Sequence, residues 1–287
     1  MQRLHTVGRR WLISGVLLLA GGLWFAWLPI DSNVAEGQGR RGGSRIVTMP
    51  ADRNGVPNWE VDPHFKHDVF TFVRIKYRSF RGDRWHTDFP DAELNFSYRL
   101  QQLTSMKTDP NGRVLELTDP ELFDFPFIYI IEPGDLVFTE EEVVALRKYL
   151  LNGGFLMVDD FWGEAEWHNF ASEFKRVFPD REPQELPLEH PIFHCVYDLK
   201  EKAQVPSIGV AQYGRGQGIT WERADAREPH YRGVFDDKGR MMAIICHNTD
   251  LGDGWEREGE DPWYFKEFSE PKAYPLGINI VFYAMTH

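Results

Sequence analysis

Two stretches of this 287-residue chain gather side chains able to hold a cation or move a proton. In GGFLMVDDFWGEAEW, residues 153–167, a strand-like apolar run ends on two adjacent carboxylates, Asp159 and Asp160. In NTDLGDGWE, residues 248–256, Asn248, Asp250, Asp253 and Glu256 crowd a glycine-punctuated segment. Oxygen donors of this type suit Ca²⁺ or Mg²⁺, which makes Asp159, Asp160, His247, Asp250 and Asp253 candidate metal ligands. The spacing is not that of an EF-hand loop, and the alternative for the same residues is Asx-turn hydrogen bonding in a surface loop. His190, just before Pro191, is a candidate catalytic base beside Asp160 in metal-assisted hydrolysis, or else a hydrogen-bonded packing residue. Trp85, Trp162 and Trp255 fall at expected strand ends and loops, and with Asp160 they are candidates to line a ligand or partner cleft, since aromatic faces beside carboxylates suit sugars and peptides.

Nucleophilic catalysis finds less support. No GxCxG or GxSxG elbow occurs, and such an elbow is what exposes a nucleophile between a strand and a helix. Cys246 is followed by His247, but neighbours on a strand point to opposite faces. The second cysteine, Cys195, is distant in sequence, and without a CxxC motif neither a zinc knuckle nor a redox pair is available. One disulfide and two separate thiols both remain open.

Positioning these residues falls to an alternation of strands and helices. DVFTFVRIKY (68–77) reads as a strand, and DAELNFSYRLQQL as an amphipathic helix with Phe96, Leu100 and Leu103 on one face. RVLEL and FPFIYIIE follow as short buried strands. Thr139 and Glu142 form a capping box that opens a helix whose stripe is Val143, Leu146 and Leu150, and Gly153 and Gly154 stop it. FLMVDD is the next strand, and EWHNFASEFKRVFP the next helix. The segment YRGVFDDKGRMMAIICH predicts a hairpin turning at Asp237, Lys238 and Gly239, and YPLGINIVFYAMTH a buried closing helix. The class is therefore α/β, with a mostly parallel sheet sandwiched by helices. In such a sheet the functional crevice lies beyond the C-terminal strand ends. Of two successive residues only one can face it, so Asp160 is assigned to the cleft and Asp159 to a structural hydrogen bond.

Charge and the N-terminus bound the cellular setting. Net charge is −12, but residues 1–45 hold six arginines against Asp31 and Glu36, or +4, which leaves −16 on the remainder. So acidic a body excludes the Lys/Arg-lined surface that DNA or RNA binding needs. Arg3, Arg9 and Arg10 precede an uncharged stretch, Trp11 to Ile30, of about 20 residues, enough to cross a bilayer as a helix. Residues 1–30 are thus read as a signal-anchor transmembrane helix, 31–63 as a flexible Gly/Pro-punctuated tether, and 64–287 as the α/β domain. The flanking arginines place the N-terminus in the cytoplasm, giving a single-pass inner-membrane protein with its body in the periplasm. The alternative is export with a cleaved signal, of twin-arginine type if Arg9 and Arg10 are read that way.

The ordered set RWHTDFPDAELNF, FDFPFIYI, EEEVVALRKYLLNGGFLMVDD, FKRVFP, LPLEHPIF, NTDLGDGWE and YPLGINIVFYAMTH resembles the bacterial domain of unknown function numbered 4159, from about Val69 to His287. The resemblance implies a fold similar to class I glutamine amidotransferases and flavodoxin, on an exported or membrane-anchored chain. It also implies partners in a system of MoxR-type ATPases and von Willebrand A-domain proteins. In an amidotransferase the nucleophile would stand where Asp159, Asp160 and Phe161 stand here. The expectation is a non-catalytic binding or assembly module of the bacterial envelope, with metal-assisted hydrolysis of an envelope polymer or saccharide as the alternative.

Overall fold

Apolar runs make the centre of a seven-stranded sheet. The computed structural model describes residues 49–287 apart from 51, 66 and 67. Its strands are β1 (Val73–Ile75), β2 (Arg78–Ser79), β3 (Arg113–Leu115), β4 (Phe127–Ile131), β5 (Leu136–Val137), β6 (Phe155–Asp159), β7 (Gln184–Glu185), β8 (His230–Phe235) and β9 (Met241–His247). The sheet order is β3-β1-β4-β6-β9-β8-β7, while β2 and β5 pair separately. From β3 to β9 every neighbour is parallel. At the other end β8 runs antiparallel to β9, and β7 antiparallel to β8. The expected mostly parallel sheet is present, finished at one edge by the hairpin read from YRGVFDDKGRMMAIICH.

Helices cover both faces. They are α1 (Asp91–Leu103), α2 (Glu140–Leu151), α3 (Gly163–Val177), α4 (Ile208–Gly214), α5 (Leu251–Glu256), α6 (Pro262–Tyr264) and α7 (Tyr274–Thr286), with a π-helical segment, Phe265–Ala273, joining α6 to α7. The capping box that opens α2 is complete, Thr139 Oγ1 accepting from Glu142 N and Glu142 Oε2 from Thr139 N. One core layer joins Phe96 of α1, Trp255 of α5 and Ile278 of α7 to Phe127, Tyr129, Phe155 and Met157. The opposite layer joins Val143 and Leu146 of α2 and Phe170 of α3 to Ile128, Ile130, Leu156 and Val158. Side chains on β6 thus alternate with the period of two that a strand imposes, and Asp159 falls on the α1/α5/α7 face.

Three expectations need restating. The long first strand, 68–77, contracts to β1 and an isolated bridge at Phe70, with the two-residue β2 just beyond it. The last six residues of NTDLGDGWE form a helix, α5, and the segment is not a surface loop, since Leu251 to Trp255 are all buried. The described part of the segment read as tether contacts the body: Arg53 Nη1 donates to the Pro110 carbonyl (2.8 Å) and Trp59 Nε1 to the Thr108 carbonyl (2.8 Å). The anchor expected at 1–30 lies outside the described residues. Among the described residues no helix is long and apolar enough to cross a membrane.

Candidate functional site

Three adjacent parallel strands end directly on a residue in the left-handed region: Glu132 after β4 has φ +47°, Asp160 after β6 +55° and Asn248 after β9 +61°. Asp88, further along the chain from β1 and beyond β2, has φ +61° as well. Aspartate and asparagine tolerate the left-handed region better than most residues, and glutamate does so less readily. Backbone strain of this kind persists where surrounding structure over-determines it, and it clusters at functional sites. Here the exits are stitched to one another. Glu132 N donates to the Asp159 carbonyl (3.1 Å), Asp160 N to the Thr249 carbonyl (3.2 Å) and Asn248 N to the Phe161 carbonyl (2.9 Å).

The two consecutive aspartates do different things. Asp159 Oδ2 accepts from Tyr129 Oη (3.1 Å) and Gly252 N (3.0 Å), tying β6 to β4 and to the first turn of α5. Burial pushes its carboxyl up to about 7, and those two donors hold it from rising further. Asp160 turns off the strand instead, with Oδ1 accepting from Trp162 Nε1 (3.0 Å). Its carboxyl is pushed well above the ordinary range by burial and then by the charges of Glu132 and Asp88.

Asp160 lies in a group of acids. Asp88, Asp160 and Asp250, all buried, place carboxylate oxygens within 4.8 Å of one another; Asp88 does the same with Asp253 and Glu256. Each position has a structural cause. Arg74, fully buried on β1, pairs with Glu93 of α1 and donates through Nη1 to the carbonyls of Trp85 (3.0 Å) and Thr87 (2.7 Å), which fixes the loop that presents Asp88. Asp250 caps α5 by accepting from Asp253 N (2.7 Å). Asp253 accepts from Ile208 N and from Arg257 Nε (3.0 Å). Burial raises the carboxyls of Asp88 and Asp250 well above their usual value, and each is raised further by neighbouring carboxylates. Glu256 is pushed up to about 7, by burial first. Among the described residues Asp88, Asp160 and Asp250 make no ion pair within 4.0 Å; Arg74 pairs with Glu93, and its charge reaches Asp88 only at longer range. Like charges held this close in a low dielectric repel strongly. A set made only of carboxylate oxygens matches hard divalent ions such as Mg²⁺, Ca²⁺ and Mn²⁺.

Not every sequence candidate joins this group. His190 packs against Phe235 and Tyr283, and Ile192 N donates to its Nδ1 (3.2 Å). Phe235 pairs with Met241, the first residue of β9, so His190 stands at the sheet edge opposite Asp160 and is not its catalytic partner. His247 is also elsewhere. Arg232 Nη1 lies 3.2 Å from its Nδ1, and Nε2 lies 3.1 Å from the Gly163 carbonyl. Donation from Arg232 to Nδ1 and from Nε2–H to Gly163 assigns a neutral ring, and burial lowers its pKa to about 3. Trp85 and Trp255 are core residues with buried indoles, so they offer no aromatic face to a ligand. Trp162, also buried, serves by holding Asp160. Cys195 and Cys246 are both free thiols.

Asp88 and Glu132 were not among the residues singled out from sequence. For Glu132 the signal was positional, since it directly follows β4 at the edge where α/β crevices form; Asp88, beyond β2 and far from the end of β1, had no such signal. An open groove of about 1010 Å³, lined by Phe70, Thr71, Arg113 and Pro126, lies at the opposite, N-terminal strand edge, away from the carboxylates. The family model described as "Domain of unknown function (DUF4159)" matches residues 71–285. No curated protein matches the chain.

Proposed function

The chain belongs to the DUF4159 family, and on that premise we propose that it is a divalent-cation-dependent binding module of the bacterial envelope, without amidotransferase activity. The observation that carries this reading is the buried convergence of Asp88, Asp160 and Asp250, with carboxylate oxygens within 4.8 Å of one another. Counted in chain order, the parallel strands β3-β1-β4-β6-β9 run 2-1-3-4-5, the flavodoxin-type order that puts ligand sites at the strand exits. The β6–α3 turn then corresponds to an amidotransferase elbow, with Asp160 at its left-handed position. A carboxylate gripped by Trp162 is no nucleophile for an amide, and Cys246 is buried with its thiol pushed well above the usual value. Metal-assisted hydrolysis is the weaker reading, because the histidine proposed as its base, His190, is at the other sheet edge.

Envelope placement rests on residues 1–30 as sequence, with the body in the periplasm and a partner in the MoxR and von Willebrand A-domain system. Protease added outside spheroplasts is expected to release the body, and protection until lysis reverses the orientation. For the site itself, the full-length chain is stripped of metal and titrated with Ca²⁺, Mg²⁺ and Mn²⁺ while its melting temperature is followed. A saturable rise is expected with at least one ion and no glutaminase activity with any. Indifference to all three ions, or turnover of glutamine abolished by Cys246→Ser, overturns the proposal.

A further inference from the structure

We infer that the strand-end carboxylates hold two divalent cations bridged by Asp88: an inner ion on Asp88, Asp160 and Asp250, and an outer ion on Asp88, Asp253 and Glu256. This deepens the single-site reading above and rests on it. Asp88 belongs to both groups, each with its ligand oxygens within 4.8 Å of one another. A carboxylate has two oxygens and can give one to each of two ions. In Asp88, which is only 9% exposed, Oδ2 is buried and no donor is assigned to it, although buried polar atoms are nearly always paired; the hydrogen-bonding neighbour of this carboxyl is Glu256, itself a member of the outer group. Gly252 of α5 packs directly against that oxygen, where a side chain would intrude. A Cβ added to Gly252 would stand 2.8 Å from Asp88 Oδ2 and 3.0 Å from Tyr129 Oη.

Charge argues in the same direction. Five carboxylates meet here, and among the described residues the cation paired with them is Arg257, on Asp253 and Glu256. When all five are ionised, they and Arg257 sum to −4; one divalent ion leaves −2 and two leave none. Hard ions sharing a carboxylate sit roughly 3.5–4 Å apart in two-metal sites, and Asp88 is the member that the two groups have in common. The two ions differ in exposure. Asp160 and Asp250 are buried, whereas Glu256 is partly exposed and already engaged by Arg257. The outer ion therefore competes with Arg257 and binds second.

Mn²⁺ alone, added to the metal-stripped full-length chain, tests this. Metal analysis is expected to give two Mn²⁺ per chain, taken up in two steps. At the second step the low-temperature electron paramagnetic resonance spectrum changes from the six lines of an isolated ion to the broadened spectrum of a coupled pair. Glu256→Gln is expected to stop uptake at one Mn²⁺ and keep the isolated spectrum, and Asp88→Asn to weaken both steps at least tenfold. Saturation of the wild type at one Mn²⁺, indifferent to Glu256→Gln, overturns the bridged pair and leaves the single-ion reading standing. No uptake at all overturns that reading too. If Asp88→Asn does not fold, wild-type stoichiometry and the Glu256→Gln spectrum decide alone.

Discussion

Asp159 and Asp160 carry the same side chain one residue apart, yet a strand's period of two sends the first into the α1/α5/α7 layer, and the left-handed turn sends the second toward Asp88 and Asp250. The division of labour was legible because it depends only on where the strand stops. Asp88 was not, because its place depends on Arg74 reaching from β1 to hold the loop by two carbonyls, a long-range contact with no local pattern. The pair differs in a measurable way. In Asp160→Asn the amide oxygen still accepts from Trp162 Nε1 while one charge leaves a crowded cluster. The metal-free variant is expected to melt at or above the wild-type temperature, with the Mn²⁺-induced rise cut by at least half. In Asp159→Asn one side-chain atom still accepts from Tyr129 and Gly252, but the amide –NH₂ then sits at the buried Oδ1 position, where the structure offers no partner. That costs about 1–3 kcal/mol, read from denaturant unfolding without metal. A larger loss of stability in the Asp160 variant than in the Asp159 variant would reverse the two roles.

Elements with strong local signals are those that sequence places well. The Thr139–Glu142 box marks the start of α2, and Thr139→Ala is expected to cost about 1 kcal/mol. The hairpin turn at Asp237 to Gly239 likewise declares itself. Helix α5 does not, because six residues with two glycines have neither the length nor the periodicity of a helix, and tertiary packing makes it one. Its Gly254 would place a Cβ 2.4 Å from the Ala273 side chain, and Gly277 of α7 would place one 2.6 Å from Trp255 and 2.7 Å from Phe96. Helices α1, α5 and α7 thus close around Trp255 only where side chains are absent. In an exposed helix, replacing an interior glycine by alanine gains up to about 1 kcal/mol. Gly277→Ala is expected instead to lose about 1–3 kcal/mol through overpacking, and a thermal melt that rises would show that Trp255 can yield.

At the scale of the whole molecule, the acidic interior ties stability to pH and to cations together. Asp159 and Glu256 are raised to about 7, and Asp88, Asp160 and Asp250 are raised as well. A raised carboxyl binds its proton more tightly in the folded chain, so its contribution is complete below its unfolded value and is lost as pH rises through the folded one. Other groups pull the opposite way at lower pH. His247, lowered to about 3, contributes stability present above 6.5 and lost as pH falls, and Glu185, lowered to about 2, does so below 4.5. Between pH 8 and 6.5, therefore, the carboxylates act nearly unopposed. The metal-free chain is expected to become more stable as pH falls across that window, and then to level off as His247 takes up its penalty. A divalent ion competes with the same protons, so its stabilising effect, which grows as RT ln(1 + [ion]/Kd), runs the other way and is largest at pH 8. Melting curves with and without Mn²⁺ should draw apart as pH rises from 6.5 to 8. Curves that stay parallel across that interval would mean that the ion binds away from these carboxylates, whatever its affinity.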